Sequence, residues 1–271
     1  MRLLLLTILL CLTQSALASV KLYVFDCGRI QFGTIQSFGL KDDQTDVREL
    51  FVPCYLVEHE RGRLLWDAGL PLALAGKEQF ELQPGVSGSY KKSLIAQLAE
   101  LNLKPADIDF IALSHHHFDH AGAANAFAGA TVLIQAAEHV AAFERAGENP
   151  VFDPALYNQL ADSRKVILNG DYDVFGDRSV LIVAAPGHTP GHQVLSLNLA
   201  NTGPLVLSGD LYHFRKSREL RTTPEFNTNP EQTLRSMDKV EAHIAATGAT
   251  LWIEHDLALA ETLNLAPAYY D

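Results

Sequence analysis

Short runs of β-branched and aromatic residues, separated by polar turns, fill the first part of the chain. Three of these runs, at residues 20–25, 50–57 and 63–66, predict the opening strands of a sheet. A further apolar run, Phe110–Leu113, predicts a buried strand. Between Leu72 and Tyr90 the pattern breaks into glycine, proline and scattered apolar residues, which is typical of an irregular loop. We expect that loop to form part of a substrate pocket.

Apolar residues at helical spacing occur between the predicted strands. The stripe of Leu94, Ile95, Leu98 and Leu101 predicts a helix over residues 91–102. The same patterns predict helices that begin at residues 121–126 and cover 136–146, and strands at 131–135, 180–184, 195–199, 205–207 and 250–253.

The clearest helix start lies at Asn229, which offers a capping side chain just before Pro230 at the first helical position. Gln232 stands in the capping-box position. A buried stripe is predicted to follow at Leu234, Met237, Val240 and Ile244. Strands and helices interleave throughout, and we find neither a linker nor an internal repeat. This organisation predicts a single α+β domain of four layers over residues 19–271.

Composition and charge narrow the function classes. The chain has 271 residues, of which 48% are hydrophobic and 20% charged, as in an ordinary globular protein. A formal net charge of -11 argues against nucleic-acid binding, because a phosphate backbone would be repelled. Arg215, Lys216, Arg218 and Arg221 form the candidate basic patch. We interpret it as a solvated loop, with a contact to an anionic substrate group as the alternative.

The first eighteen residues have the pattern of a signal peptide. Arg2 precedes an apolar core from Leu3 to Leu12, and Ala16-Leu17-Ala18 is a small-x-small cleavage signal. The apolar run is short for a membrane span. We therefore expect cleavage after Ala18, no membrane association afterwards, and a periplasmic or secreted protein.

Two cysteines, Cys27 and Cys54, remain after that cleavage. An oxidising compartment could join them in a disulfide. They could equally be small buried apolar residues, since the sequence does not give their separation.

The segment His115-His116-His117-Phe118-Asp119-His120 carries the candidate chemistry. In extended backbone His115 and His117 point the same way, so two imidazoles can grip one metal ion. Asp119 and His120 add a carboxylate and a third imidazole, which suggests two metals side by side. The alternative is a surface run of histidines without a ligand role. Later predicted strands also end in metal-ligand residues, and these are His188, Asp210 and His255.

Together these motifs resemble the metallo-β-lactamase superfamily, whose signature H-x-H-x-D-H is read here as His115, His117, Asp119 and His120. Within it the chain is similar to the N-acyl homoserine lactone lactonases, and the segments that carry this similarity are residues 21–25, 54–58, 169–174 and 186–192. The resemblance implies a four-layered αββα sandwich. It also implies a hydrolase that opens the lactone ring of N-acyl homoserine lactones, an activity known as quorum quenching.

The resemblance also assigns ligands to a dinuclear centre. It implies that His115, His117 and His188 bind one metal, that Asp119, His120 and His255 bind the other, and that Asp210 bridges them. His116 and His192 are expected to orient or pack rather than to bind. A set of nitrogen and oxygen donors without cysteine suits two zinc ions, and iron, cobalt or manganese would also be accepted. A shared hydroxide is then expected to attack the lactone carbonyl, with Asp119 carrying a proton to the leaving oxygen.

One position departs from the family. The related lactonases have a tyrosine three residues after the bridging aspartate, where it can hydrogen-bond the substrate carbonyl. Here that position is His213, and Tyr212 lies one residue earlier. Either side chain could donate to a developing oxyanion, so both are candidate catalytic residues.

Several other functions remain as alternatives. A secreted phosphotriesterase of the methyl parathion hydrolase kind is the main one, followed by another esterase or thioesterase of the same fold. A β-lactamase is disfavoured, because cysteine or serine stands there in place of Asp210. A non-catalytic metal-binding module is disfavoured by the complete ligand set. The expected partner is a small neutral lactone or ester, and a homodimer is left open.

Overall fold

Strands form the centre of the fold in the computed structural model, which describes residues 20–271. The predicted signal peptide therefore lies outside the described residues. In chain order the strands are β1 (Lys21–Phe32), β2 (Glu49–His59), β3 (Gly62–Trp66), β4 (Lys77–Gln83), β5 (Val86–Tyr90), β6 (Phe110–Ala112), β7 (Thr131–Gln135), β8 (Lys165–Leu168), β9 (Tyr172–Asp173), β10 (Val180–Ala184), β11 (Gln193–Leu199), β12 (Gly203–Leu207) and β13 (Thr250–Trp252).

These strands make two sheets within residues 20–271. The larger sheet has the order β4-β5-β1-β2-β3-β6-β7-β8, and the smaller has the order β13-β12-β11-β10-β9. In the larger sheet β3, β6, β7 and β8 run parallel to one another, whereas the pairs from β4 to β3 are antiparallel. In the smaller sheet β12 and β13 are parallel and the other pairs are antiparallel.

The helices pack outside the two sheets or follow strand ends. Short 3₁₀ turns accompany them, among them Gln36–Phe38 and Gly209–Leu211. The α-helices are α1 (Leu94–Glu100), α2 (Phe118–Ala121), α3 (Ala136–His139), α4 (Arg215–Leu220), α5 (Pro230–Thr247) and α6 (Leu257–Ala260). No helix in the described part of the chain is both long and apolar enough to cross a membrane.

Side chains that point alternately to the two faces of the strands fill the three spaces between the layers. In β1, Leu22 and Val24 belong to the core between the sheets, whereas Tyr23 and Phe25 belong to the core under α1. Side chains alternate along a strand, so a strand that is buried on both faces supplies two cores.

The smaller sheet repeats this arrangement. Ile182 and Leu195 face the core between the sheets, and Val183 and Val194 pack against Met237 of α5 on the outer face. The layers are therefore helix, sheet, sheet and helix, and the predicted αββα sandwich is confirmed.

Several predicted elements have the expected bounds. Strands β7 and β10 cover the predicted residues 131–135 and 180–184. Helix α5 begins at Pro230, and the Asn229 side chain accepts a hydrogen bond from the Gln232 N–H at 3.0 Å. These are the segments where local capping and tertiary packing favour the same structure.

The prediction of an irregular loop at residues 72–90 was wrong. The segment forms a hairpin, β4–β5, which turns at Pro84-Gly85 and adds an edge to the larger sheet. Its outer strand, β4, is mostly exposed. The two apolar residues of β4, Phe80 and Leu82, are half-buried. An edge strand with so few apolar positions lacks the alternation by which buried strands are predicted.

Other differences concern lengths. The helix expected from residue 121 is the short α2, followed by a 3₁₀ turn at Ala124–Phe127. The helix expected over 136–146 is α-helical only to His139 and continues as a wider turn to Glu144. Strands β8 and β9 were not predicted.

Candidate metal centre

The candidate ligands are placed by loops that follow the carboxyl ends of strands. His115 comes after β6, His188 after β10, Asp210 after β12 and His255 after β13. Since these strand ends meet where the two sheets come together, residues distant in sequence become neighbours.

The first group of donors contains His115, His117, His188 and Asp210, whose donor atoms all lie within 4.8 Å of one another. His188 Nε2 lies 3.1 Å from both His115 Nε2 and His117 Nδ1. It also lies 3.1 Å from Asp210 Oδ2. Four buried donors thus converge on one point.

The second group contains Asp119, His120 and His255. Asp119 Oδ2 lies 3.7 Å from the Nε2 atoms of His120 and His255. The other oxygen of Asp210, Oδ1, lies 3.1 Å from His120 Nε2 and 2.9 Å from His255 Nε2. Asp210 therefore turns one oxygen to each group, and the structure brings all seven predicted metal ligands together.

Hydrogen bonds behind the rings fix which nitrogen faces the centre. His188 Nδ1 lies 2.8 Å from Asn227 Oδ1, and His255 Nδ1 lies 2.7 Å from the Phe51 carbonyl oxygen. His120 Nδ1 lies 2.8 Å from Asp67 Oδ2. Because each of these oxygens can accept a hydrogen bond from Nδ1, Nε2 of a ring in its neutral form presents its lone pair to the centre.

Inward lone pairs about 3 Å apart repel one another unless a cation lies between them. Within residues 20–271, the buried atoms His120 Nε2 and Asp210 Oδ1 have no hydrogen-bond partner. Buried polar atoms without a partner are costly, and metal coordination would remove that cost. The donor set therefore fits divalent metal ions.

The pKa shifts of Asp210 and His255 also favour a bound cation. Burial raises the pKa of Asp210, but His213, His120 and His255 outweigh it and hold that pKa well below its usual value. Burial lowers the pKa of His255, whereas the Asp210 carboxylate raises it, to about 9 overall. The centre thus holds an ionised carboxylate that attracts positive charge.

Asp67 supports both His120 and the loop before it. Its Oδ1 accepts a hydrogen bond from the Ser114 N–H at 2.6 Å, and its Oδ2 accepts from the Ser114 hydroxyl at 2.9 Å. Asp67 has a φ of 58°, which a non-glycine residue adopts only where its surroundings enforce it. Asp67 therefore stabilises the loop at Ser114 and orients His120.

His192 and His116 support the loops, as their sequence positions indicated. His192 Nδ1 donates to the Ala185 carbonyl at 2.9 Å, and its Nε2 accepts from the Asp210 N–H at 2.9 Å. His116 packs against the Tyr157 ring with the ring centroids 4.8 Å apart. Neither belongs to a donor group.

Glu138 is a supporting residue that the sequence analysis missed. It is buried, and its carboxylate accepts hydrogen bonds from the backbone N–H groups of His116 and Gly191. Burial raises its pKa, but the His116 side chain and the other hydrogen bonds lower it overall. A glutamate at the start of a helix usually faces solvent, so its sequence context gave no signal.

The two candidate catalytic residues after Asp210, Tyr212 and His213, have their side chains in different environments. His213 lies at the centre, with Nε2 2.9 Å from Asp210 Oδ2. The Tyr212 hydroxyl instead donates to Glu241 Oε1 at 2.9 Å, and its ring packs in the core under α5. The prediction that Tyr212 could contact substrate was therefore wrong. Its extended backbone sends consecutive side chains to opposite sides.

A cavity of about 510 Å³ opens onto the centre. Asp119, Asp210, His213 and His255 line its floor, with His117 beside them. The remaining lining is mainly apolar and comes from β1, β2, the β4–β5 hairpin and the segments that follow other elements, namely Ile30, Phe32, Ser37, Phe38, Leu50, Leu82, Gln83, Val86, Phe118, Pro150, Val151 and Phe226. The expectation that residues 72–90 contribute to a pocket thus agrees with the cavity, although the segment is a hairpin.

The basic cluster is not a loop and does not line this cavity. Residues 215–220 form α4, and Arg215 pairs with Asp256. Arg218 lies 2.7 Å from Glu241, and Arg221 lies 2.8 Å from Asp238. Lys216 lies 2.8 Å from Glu219. Each cation has a carboxylate partner, so the alternative of an anion clamp for substrate is not supported.

Cys27 and Cys54 form a disulfide between β1 and β2. Both residues are buried beneath the Asp67–Leu70 turn, where Gly69 packs directly on them. The Ala68 N–H of that turn donates to the His120 carbonyl at 2.7 Å. The disulfide therefore lies under a turn that holds part of the second donor group.

Comparison with known proteins gives consistent matches. The family model of the metallo-beta-lactamase superfamily matches residues 47–247. The chain is 29% identical to the N-acyl homoserine lactonase AttM of Azorhizobium caulinodans, over 94% of this chain and 100% of that protein. It is 26% identical to an N-acyl homoserine lactonase of Bacillus thuringiensis, over 92% of this chain and 98% of that protein.

Solved structures show the same similarity. An N-acyl homoserine lactone hydrolase, with the product N-hexanoyl-L-homoserine bound at its catalytic metal center, superposes with a TM-score of 0.79. The identity is 25%, and the match covers 93% of this chain and 99% of that chain.

Proposed function

Because the chain belongs to the metallo-beta-lactamase superfamily, we propose that it is a metal-dependent hydrolase that opens the lactone ring of N-acyl homoserine lactones. The observation that carries this function is the position of Asp210. Its two oxygens face two separate groups of donors at the floor of an apolar cavity. The superfamily relatives named above are N-acyl homoserine lactonases, and the phosphotriesterase alternative is not favoured.

Each of the two donor groups would hold one metal ion. His115, His117 and His188 would hold one ion, Asp119, His120 and His255 the other, and Asp210 would bridge them. When bound, such a pair supplies a hydroxide nucleophile at neutral pH and polarises the lactone carbonyl. We propose zinc as the native metal, because the donors are imidazoles and carboxylates without sulfur. Metal analysis of the purified protein tests this, and iron, cobalt or manganese at two equivalents would contradict it.

Residues that line the cavity would transfer the proton and bind the substrate. Asp119 lines the cavity beside His255, so its carboxylate can take the proton of the hydroxyl added to the carbonyl carbon and pass it to the ring oxygen as the ester bond breaks. The products are then a carboxylate and a hydroxyl on one opened chain. The apolar walls suit the acyl arm, and within residues 20–271 the charged side chains of the lining, apart from histidine, are Asp119 and Asp210. A neutral substrate with an apolar arm is therefore favoured.

The first test is hydrolysis of N-acyl homoserine lactones of several chain lengths by zinc-loaded protein. A phosphotriester and the Asp210→Ala variant are run beside them. We expect rapid ring opening that is lost in the variant. Cleavage of the phosphotriester with the lactones untouched would overturn the substrate but not the metal centre.

We also propose that the protein is exported and works in the periplasm or outside the cell. The signal-peptide pattern of residues 1–18 supports this. A disulfide between Cys27 and Cys54 suits an oxidising compartment. Sequencing the amino terminus of protein from a periplasmic fraction should give Ser19 as the first residue. Uncleaved protein in the cytoplasm would contradict export.

A further inference from the structure

His213 lines the cavity but joins neither group that would hold a metal ion. Two ligands of one ion lie at most about 4–5 Å apart, because each metal bond is about 2.0–2.3 Å long. The four-membered and three-membered groups described above both satisfy this limit without His213. Among the described residues, His213 also lies within this limit of Asp210 and His255, but it is not within it of both Asp119 and His120. It therefore lies beside the centre without completing either half.

The contact of His213 is with the carboxylate that faces both groups. Its Nε2 lies 2.9 Å from Asp210 Oδ2, the same oxygen that faces His188 Nε2 at 3.1 Å. An ionised carboxylate only accepts hydrogen bonds, so a hydrogen bond across this contact requires the proton on His213 Nε2.

His213 differs in this respect from His120, His188 and His255. The rings of His188 and His255 have Nδ1 held by an oxygen from outside, which leaves Nε2 as an acceptor for metal. Within residues 20–271 no hydrogen bond holds Nδ1 of His213 in this way. Its ring is therefore free to carry the proton on Nε2, where it can act as a donor towards Asp210.

Aromatic neighbours hold the His213 ring in this position. The ring of His255 is stacked on it at 5.5 Å with an interplanar angle of 20°, and the Phe38 ring lies 5.0 Å away. The Phe226 ring lies 5.8 Å away, at an interplanar angle of 89°. The His213 side chain is only 4% exposed. A ring enclosed in this way keeps one orientation, as an anchor must.

We propose that His213 is a positioning residue, which donates from Nε2 to Asp210 and thereby keeps the two oxygens of that carboxylate turned to the two groups of donors. The inference rests on the metal centre of the proposed function. It does not depend on the identity of the substrate. Partners that orient a metal ligand typically change metal affinity or activity by about 10–100-fold when removed.

Three variants separate this role from its alternatives. His213→Phe keeps an aromatic ring among Phe38, Phe226 and His255 but removes the donor. His213→Gln restores an N–H donor at the same number of bonds from the backbone but without the ring. Tyr212→Phe is the matched control, because it alters the neighbouring buried residue, whose hydroxyl contacts Glu241 instead. If His213→Phe does not fold, His213→Met takes its place as the variant without a donor.

The decisive readout is the rate at which zinc-loaded protein releases metal to a chromogenic chelator, measured without any lactone. We expect release to be about 10–100-fold faster in His213→Phe, near the native rate in His213→Gln, and unchanged in Tyr212→Phe. The visible absorption of the cobalt-substituted protein should change in His213→Phe and be restored in His213→Gln.

Two results would overturn the proposal. Native metal release in His213→Phe, together with a raised KM for lactone, would assign His213 to the substrate. Loss of one metal equivalent in both His213→Phe and His213→Gln would make it a ligand. If instead metal release behaves as expected but no lactone is hydrolysed, the positioning role stands and the proposed function fails.

Discussion

Glu138 Oε2 accepts a hydrogen bond from the backbone N–H of Gly191 at 2.8 Å, while Oε1 accepts from the backbone N–H of His116 at 3.0 Å. One buried carboxylate thus joins the loop that carries His115 and His117 to the loop that carries His188. A buried charge is tolerated when its lone pairs are used, and this one is used at both oxygens. The spacing of the first donor group therefore depends on a residue that would bind no metal.

Replacing Glu138 by glutamine should weaken the centre. An amide has an NH2 group in place of one oxygen, so one of the two backbone N–H groups would face a donor. We expect the free energy of unfolding of the metal-free protein to fall by about 2–3 kcal/mol, as measured by urea denaturation. Metal content after dialysis should fall as well.

Glu144→Gln is the control for this variant. Glu144 is an exposed glutamate of the same segment, 3.2 Å from His139, and its loss should change stability little. Equal urea midpoints for Glu138→Gln and the wild type would show that the carboxylate does not join the loops.

Four candidate ligand positions could be predicted from the sequence because each follows a short apolar run, and the family resemblance supplied the division into two groups. His115, His188, Asp210 and His255 all stand just beyond a strand, and the sheet order then brings those strand ends together. The core strands were predictable for the same reason, since burial on both faces requires nearly continuous apolar residues.

What the sequence did not reveal depends on direction and distance in space. Tyr212 and His213 are neighbours in sequence, but extended backbone sends one to Glu241 and the other to Asp210. Glu138 is recognised only when two loops are seen to meet on it. The β4–β5 hairpin was missed because an edge strand needs few apolar residues.

Gly209→Ala should disturb the metal centre by displacing His192, which holds the backbone of Asp210. Gly209 has a φ of 48°, and an added Cβ would lie 2.6 Å from His192 Nε2 and 2.9 Å from Ser114 Cβ. His192 Nε2 accepts from the Asp210 N–H, so the methyl group would displace the bridging residue. A shift of about 1 Å in a site can cost about 100-fold in rate, and we expect a loss of that order in kcat/KM.

Gly129→Ala provides the comparison, because a Cβ at Gly129 meets no atom within 4 Å. The two variants are assayed side by side for kcat/KM and for bound metal. Native kcat/KM in Gly209→Ala would mean that the space around His192 is not tightly constrained.

Removal of the disulfide should lower stability and loosen the turn over it. Cys27 and Cys54 are 27 residues apart, and closing a loop of that size stabilises a fold by about 3–4 kcal/mol. We expect the Cys27→Ala/Cys54→Ala variant to lose about this much free energy of unfolding in urea. A reductant should bring the wild type towards the variant and leave the variant unchanged. Two free thiols in the protein as purified would contradict the prediction.

Val86→Trp should change the preference for acyl length. Val86 is half-buried in β5, lines the cavity and belongs to neither donor group, so a larger side chain would shorten the apolar wall available to the acyl arm. Each methylene excluded from an apolar site costs about 0.8 kcal/mol, and two would raise KM about tenfold. We expect this rise for long-chain lactones, whereas KM for a butanoyl lactone should stay near its native value. Val47→Trp is the control, because Val47 is 41% exposed and does not line the cavity. An equal change in KM for short and long lactones would place the acyl arm elsewhere, since only an obstacle along the arm can discriminate by length.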